Sequence, residues 1–219
     1  MTVVHAFSGQ VKPGRHEEVI ELHRHAAKVV ERHGATEIRL LGPAVSGAET
    51  YSSMTTVMQF PTMEAFGTFL DEALADDEVQ RLQKELRAAD APLLAPSATL
   101  AVEIPLGRKA TKERGRVLQV FVSRLAPGRM TAACELSNRA FDMMEGLGAR
   151  NCRSWSQMYA GLQTNLLIGT IEWESMRALG RATDTLDTRA EFRSVTELVM
   201  SSDSPVTPVS ADLYLDIAV

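Results

Sequence analysis

The residues best suited to chemistry in this chain come in matched pairs. Arg39 returns 114 positions later as Arg153, and Glu103 returns 113 positions later as Asp216. A guanidinium and a carboxylate that recur together can bind an anion or enolate and move a proton. His5 adds an imidazole where the second half has Gln119, and Trp155 and Tyr214 add aromatic surface and a phenol. His5 and Glu103 are therefore the candidate catalytic residues, either of them as a base. Arg39, Arg153, Trp155, Tyr214 and Asp216 are the candidate substrate-binding residues. The same groups have a plainer use as a network of ion pairs and hydrogen bonds that docks two halves together, because buried charges persist only when paired.

The pairing runs through the whole sequence. Gly14, Gly34 and Gly47 recur as Gly128, Gly148 and Gly161, each 114 residues later, and Pro13-Gly14-Arg15 returns as Pro127-Gly128-Arg129. Self-similarity at a fixed period is the mark of repeated structure. Residues 1–107 and 114–219 read as two copies of one unit, joined by a basic connector over 108–113. Met63-Glu64-Ala65-Phe66-Gly67 matches Met176-Arg177-Ala178-Leu179-Gly180 at an offset of 113, so the copies differ slightly in length.

Each copy reads strand, helix, strand, strand, helices, strand. In the first, strands are expected near 3–7, 36–41, 51–60 and 98–104. A helix is expected over 16–33, with Val19, Leu22, Ala26, Val29 and Val30 at helical spacing and Gly34 ending it. Further helices fall near 62–75 and 77–89, and Ala91-Pro92 and Ala95-Pro96 break the chain before the last strand. In the second copy the strands fall near 116–123, 150–159, 164–173 and 210–218. Its helices fall over 129–146 and 174–201, with a turn near 184–187. This predicts an α+β fold, an antiparallel sheet with helices on one face of each unit.

Alternation along the strands sorts the faces. Leu118, Val120 and Val122 read as the stripe beneath the helices. Val117, Gln119 and Phe121, like Val3, His5 and Phe7, then point away. Glu37, Arg39, Glu103, Asn151, Arg153, Trp155, Tyr214 and Asp216 join His5 and Gln119 on that second, polar face. It predicts either a docking network or a polar pocket between two sheets. A second pocket is expected between sheet and helices in each half. Met54, Thr56, Met58 and Phe66 would line it in one copy, and Met143, Met144, Thr170 and Trp173 in the other.

The order β-α-β-β-α-β is that of the ferredoxin-like unit. Tandem copies of about 105 residues resemble the dimeric α+β-barrel superfamily. That group includes antibiotic-biosynthesis monooxygenases, heme-degrading monooxygenases, muconolactone isomerases, EthD-like proteins and the NIPSNAP family. The resemblance implies two tandem ferredoxin-like units forming a pseudo-dimeric α+β barrel. It also implies a cofactor-independent monooxygenase-like enzyme acting on a small aromatic or polyketide-like molecule. Isomerase or cyclase chemistry would use the same parts, and a NIPSNAP-like non-catalytic binding or interaction module is the alternative.

All five histidines fall in the first copy, at positions 5, 16, 23, 25 and 33. No two have i, i+4 spacing and no Cys/His cluster exists, so no metal site is expected. The second copy lacks the histidine with which heme-using members of the superfamily hold iron, and no cofactor is expected. Cys134 and Cys152 align with Ile20 and Ile38, which makes them small core residues and not a disulfide. No strand-to-helix glycine loop or nucleophile elbow is present. The net charge is −5, with −6 in residues 1–107 and +1 in the remainder. An acidic chain whose basic connector lacks stacking aromatics is not expected to bind nucleic acid. The absence of a long apolar run predicts no membrane span. The start lacks a signal sequence, and a cytoplasmic protein is expected. The expected partner is a small apolar or aromatic molecule, and the chain is either a monomeric pseudo-dimer or a homo-oligomer.

Overall fold

A computed structural model describes residues 1–47, 52–111 and 113–218. Tyr51, expected to open a strand, and Lys112 of the connector lie outside the described residues. The chain forms two compact units. One comprises Met1–Glu103, Met158–Gly161 and the residues from Asp216 onward; the other comprises Ile104–Gln157 and Leu162–Leu215.

The first unit is built from β1 (Val3–Val11), α1 (His16–Arg32), β2 (Thr36–Val45), β3 (Ser53–Phe60), α2 (Met63–Ala75), α3 (Asp77–Arg87) and β4 (Leu93–Ile104). Its strands pair antiparallel in the order β4-β1-β3-β2. The later elements are β5 (Val117–Leu125), α4 (Met130–Glu145), β6 (Arg150–Tyr159), a 3₁₀ turn at Gly161–Gln163, β7 (Leu166–Trp173), α5 (Met176–Leu186), α6 (Ala190–Val199) and β8 (Val206–Ile217). Their order is the same, β8-β5-β7-β6, again antiparallel. The described residues thus hold eight strands and six helices in two tandem ferredoxin-like units. Among them, no helix is long and apolar enough to cross a membrane.

Local chemistry explains the helix ends. The Thr62 hydroxyl accepts from the Ala65 amide at the start of α2, and Ser175 does the same for Ala178 in α5. Asp76 caps α3 through the amides of Glu78 and Val79. Such caps satisfy amide donors that a first helical turn leaves open. Gly34 and Gly148, with φ of +86° and +97°, turn the chain after α1 and α4 in the left-handed region that glycine favours.

The duplication reaches the backbone. Glu37 and Asn151 occupy equivalent positions with φ of +50° and +47°. At both, one extra residue slips the register: between Thr36 and Arg39 in β2, and between Arg150 and Arg153 in β6. Each copy therefore carries the same β-bulge, which aims the arginine that follows it.

Two expectations need correction. The last strands begin earlier than the prolines suggested: β4 runs through Pro96 and β8 through Pro208. Both prolines lie beside register shifts, at Ser8/Gln10 and Val122/Ser123, where an irregular ladder tolerates a missing amide donor. The faces of β1 and β5 are also inverted. Val3 and Val117 belong to the helix-side cores with Phe60 and Ile171, whereas Leu118 and Val120 sit opposite Glu172 and Thr170 on the other face.

Candidate functional site

The second unit encloses a cavity of about 600 Å³ between its sheet and its helices. Sheet rows supply its floor. Ser154, Gly169, Phe121 and Ala211 stand side by side across β6, β7, β5 and β8, and Gln119 and Ile171 form the next row. From α4 come Leu136, Ser137, Phe141 and Met144; from α5 and α6 come Leu179, Thr183, Phe192 and Val195. Met200 and Val209, which also border it, are 76% and 54% exposed and mark the open side.

The first unit fills the equivalent space differently. Leu40 stands at the position of Ser154, Thr56 at Gly169, His23 at Ser137, Phe66 at Leu179 and Phe69 at Ala182. At these five places between sheet and helices the first copy is larger, whereas at Ala27/Phe141, Ala73/Leu186 and Val79/Phe192 the second is. In the first copy His5, Phe60, Phe66 and Phe69 close into a ring cluster. Phe66 lies 5.5 Å from the His5 ring and 5.3 Å from Phe60, and Phe60 lies 4.9 Å from Phe69. Protein interiors pack to crystal density, and the smaller residues at these five positions of the second copy leave room against its sheet.

The cavity is neutral. Among its lining residues none is Asp, Glu, Lys, Arg or His. Cys134 is its one thiol, and burial, reinforced by Glu135, raises its pKa and keeps it protonated. Both cysteines are free, and burial pushes Cys152 up to about 12. The polar atoms left are those of Gln119, the serines and the threonines. The Trp173 indole N–H, fully buried, donates to Gln119 Oε1 at 3.1 Å.

The residues singled out from sequence divide between the two sheet faces. His5 is on the helix side, opposite Met58 and Leu100 and against Phe66, and not beside Arg39 and Glu103 as expected. Its Nδ1 is buried without a hydrogen bond, and desolvation lowers its pKa. His23 is similar. Its Nδ1 meets the Thr56 hydroxyl at 2.9 Å, its Nε2 has no partner, and burial pushes its pKa to about 4.

The other face keeps the charges. Arg39, only 6% exposed, donates from Nε to Asp216 Oδ2 at 2.9 Å. Glu103 sits at the end of β4, its amide bonded to the Thr2 carbonyl. Arg153 lies 4.3 Å over the Trp155 ring, and the Trp155 indole donates to Thr170 Oγ1 at 3.0 Å. Tyr214 shares that face, opposite Leu118; burial, then Asp212, raises its phenol pKa. Thr170 was expected in the helix-side pocket and belongs here instead, opposite Arg153. Of the other residues expected to line helix-side pockets, Met144 and Trp173 do. Met54, Met58 and Phe66 are packed core, as is Met143.

Sequence reasoning passed over two residues. Glu172, 8% exposed, accepts from the Gly115 amide at 2.7 Å and from Asn151 Nδ2 at 3.1 Å. This clasps the chain just before β5, and Gly115 must be glycine, because a Cβ there would lie 2.6 Å from the Trp173 carbonyl oxygen. Arg108 of the connector lies against α4. It binds Asn138, Asp142 and Glu145, with its guanidinium 5.5 Å over the Phe141 ring.

Comparisons with known proteins agree with this architecture. A candidate monooxygenase from Fusobacterium nucleatum superposes with a TM-score of 0.64 at 9% identity, covering 99% of this chain and 93% of that one. A candidate monooxygenase from Lactobacillus acidophilus gives 0.56 at 12%, covering 99% and 93%. An anthrone oxidase-like protein gives 0.59 at 13%, covering 99% and 91%. At these identities the likeness is one of fold. No family model and no curated protein matches the chain.

Proposed function

We propose that the second unit binds a small, uncharged, aromatic or polyketide-like molecule. The observation that carries this is the cavity itself: about 600 Å³, walled by aromatic and aliphatic side chains, open at Met200 and Val209, and free of charge. Ligand sites are commonly apolar clefts of roughly 300–1,000 Å³ with a few placed polar groups. A charged ligand would lose its hydration there without gaining a partner.

A second reading adds a reaction, cofactor-independent oxygenation. It is favoured by the fold shared with two candidate monooxygenases and an anthrone oxidase-like protein. In such chemistry a deprotonated phenol or enol itself reduces oxygen, and the protein orients it and excludes water. The neutral lining supplies neither a base nor a partner for an anion, so the binding reading stands ahead of this one. His5 packs against Phe66 in the first unit, and the paired Arg39 and Asp216 support a structural role for those residues over a catalytic one.

Thermal unfolding with a panel of phenols, anthrones and quinones, with heme included, tests both readings. A ligand at 100 times its Kd should add about 2.7 kcal/mol. A shift in the wild type that is lost in Ser154→Leu supports the cavity. A shift that survives in Ser154→Leu puts the site elsewhere, and no shift from any compound sinks the reading. Oxygen uptake with a stabilising phenol separates enzyme from binder, and a heme hit would replace both.

A further inference from the structure

We infer that Gln119 is the specificity-determining residue of this cavity and selects ligands that carry a carbonyl or quinone oxygen. The inference rests on the cavity reading and adds to it the one group that can tell flat apolar molecules apart.

The argument begins with Trp173. An indole N–H can only donate, so the Gln119 atom facing it at 3.1 Å must be the carboxamide oxygen. Amide orientation is often ambiguous; here the partner decides it. The oxygen is held by a side chain that is itself fully buried in the core. The amide plane then points its NH₂ away from Trp173. Gln119 lies on the helix-side face of β5, opposite Ile171 and Leu213, and lines the cavity. Its Nε2 makes no hydrogen bond among the described residues, while its oxygen is engaged. Gln119 thus offers this largely apolar space a donor whose acceptor half is already engaged.

The duplicated position supports the assignment. His5, the counterpart of Gln119, also faces the helices and also leaves a ring nitrogen, Nδ1, unpartnered. In the first unit the Phe66 ring packs against that imidazole. In the second, Leu179 replaces Phe66 and the space before the polar group stays open. A ligand oxygen that reaches this donor gains a hydrogen bond that an otherwise identical ligand without one does not. A carbonyl accepts and brings no proton of its own, which matches a donor whose acceptor half is already used.

The test compares two rigid probes that differ by one carbonyl, fluorenone and fluorene, titrated calorimetrically into the full chain. The wild type should bind fluorenone on the order of tenfold more tightly, the factor for one net hydrogen bond. Gln119→Met keeps length and shape but has no donor; it should bring the two affinities to within about twofold of each other. Trp173→Phe frees the carboxamide to rotate and should erode the preference without abolishing binding. Equal wild-type affinities, or a preference that persists in Gln119→Met, overturn the inference and leave the cavity reading intact. If neither probe binds, the cavity reading itself falls. The wild-type comparison needs no variant, so poor folding of Gln119→Met would not shield the inference.

Discussion

The first unit is filled where the second is open. At equivalent places the first carries Leu40, Thr56, His23, Phe66 and Phe69, and the second carries Ser154, Gly169, Ser137, Leu179 and Ala182. Both hold the same strand order and the same bulge before an arginine. The frame therefore does not require a full interior in each copy. Duplication separates two demands that conflict within one core. A close-packed unit contributes stability, and the other can leave room for a ligand. Internal vacancies cost stability in proportion to their size, so the open copy should be the weaker one.

The sharpest attempt to break this contrast truncates matched positions. Phe66→Ala removes a ring from the aromatic cluster and should cost about 3–5 kcal/mol. Leu179→Ala, beside an existing cavity, should cost no more than about 2 kcal/mol, since fewer contacts are lost. Urea unfolding of the two variants measures both. Equal losses would mean that the second interior is as well supported as the first.

The opposite sheet face offers a parallel comparison. Arg39 is buried and bonded to Asp216, whereas Arg153 is held over the Trp155 ring. Arg39→Ala should cost about 3 kcal/mol, because it strands a carboxylate in a site built for a pair. Arg153→Ala should cost about 1 kcal/mol, the scale of a cation–π contact. Reversed magnitudes would show that the charge pair is dispensable and reopen a ligand role for Arg39.

A pH comparison comes next. The native His23 imidazole titrates near 4, and its unfolded counterpart near 6.5. Between those values the unfolded chain holds the extra proton. Stability from this group is therefore complete above about pH 6.5 and is lost as pH falls towards 4, by up to about 3 kcal/mol. Desolvation lowers His5 in the same direction. The second unit has Ser137 and Gln119 at these places and contributes no such slope. The difference in unfolding free energy between wild type and His23→Gln should shrink with acid across this window. A difference independent of pH would mean that the imidazole is reached by water.

Much of this architecture could be read before the structure was in view. Paired glycines marked the duplication, and the apolar periods of residues 16–33 and 129–146 marked the two longest helices. Which way the strands faced was harder. In β5, Val117 and Phe121 alternate with Leu118 and Val120, so both faces are apolar and alternation alone cannot choose. His5 and Gln119 then misled, because a polar residue was assigned to the polar face. The neighbouring β3 held the answer: Met54, Met58 and Phe60 are the buried set there, and they pair across the ladder with Gly9, His5 and Val3. The cavity was written in the sequence only as small differences between copies. They acquire meaning once Leu40/Ser154 and Thr56/Gly169 are known to be neighbours on one face.

The smallest expected effect is the most telling. Ser154→Leu places in the second unit the residue that fills the first at Leu40, which is 1% exposed. The new side chain enters space that already exists, so overpacking strain should be slight. Burying it gains apolar contact, and one hydroxyl is removed. These terms nearly offset, and stability should change by less than about 1 kcal/mol. Ligand binding should nevertheless be lost, because the leucine would stand beside Gly169 at the centre of the cavity floor. A variant as stable as the parent but unable to bind separates occupancy of the space from integrity of the fold. A loss of several kcal/mol would instead mean that the second unit closes on itself in solution, and the contrast between a filled and an open copy would then be one of size and not of kind.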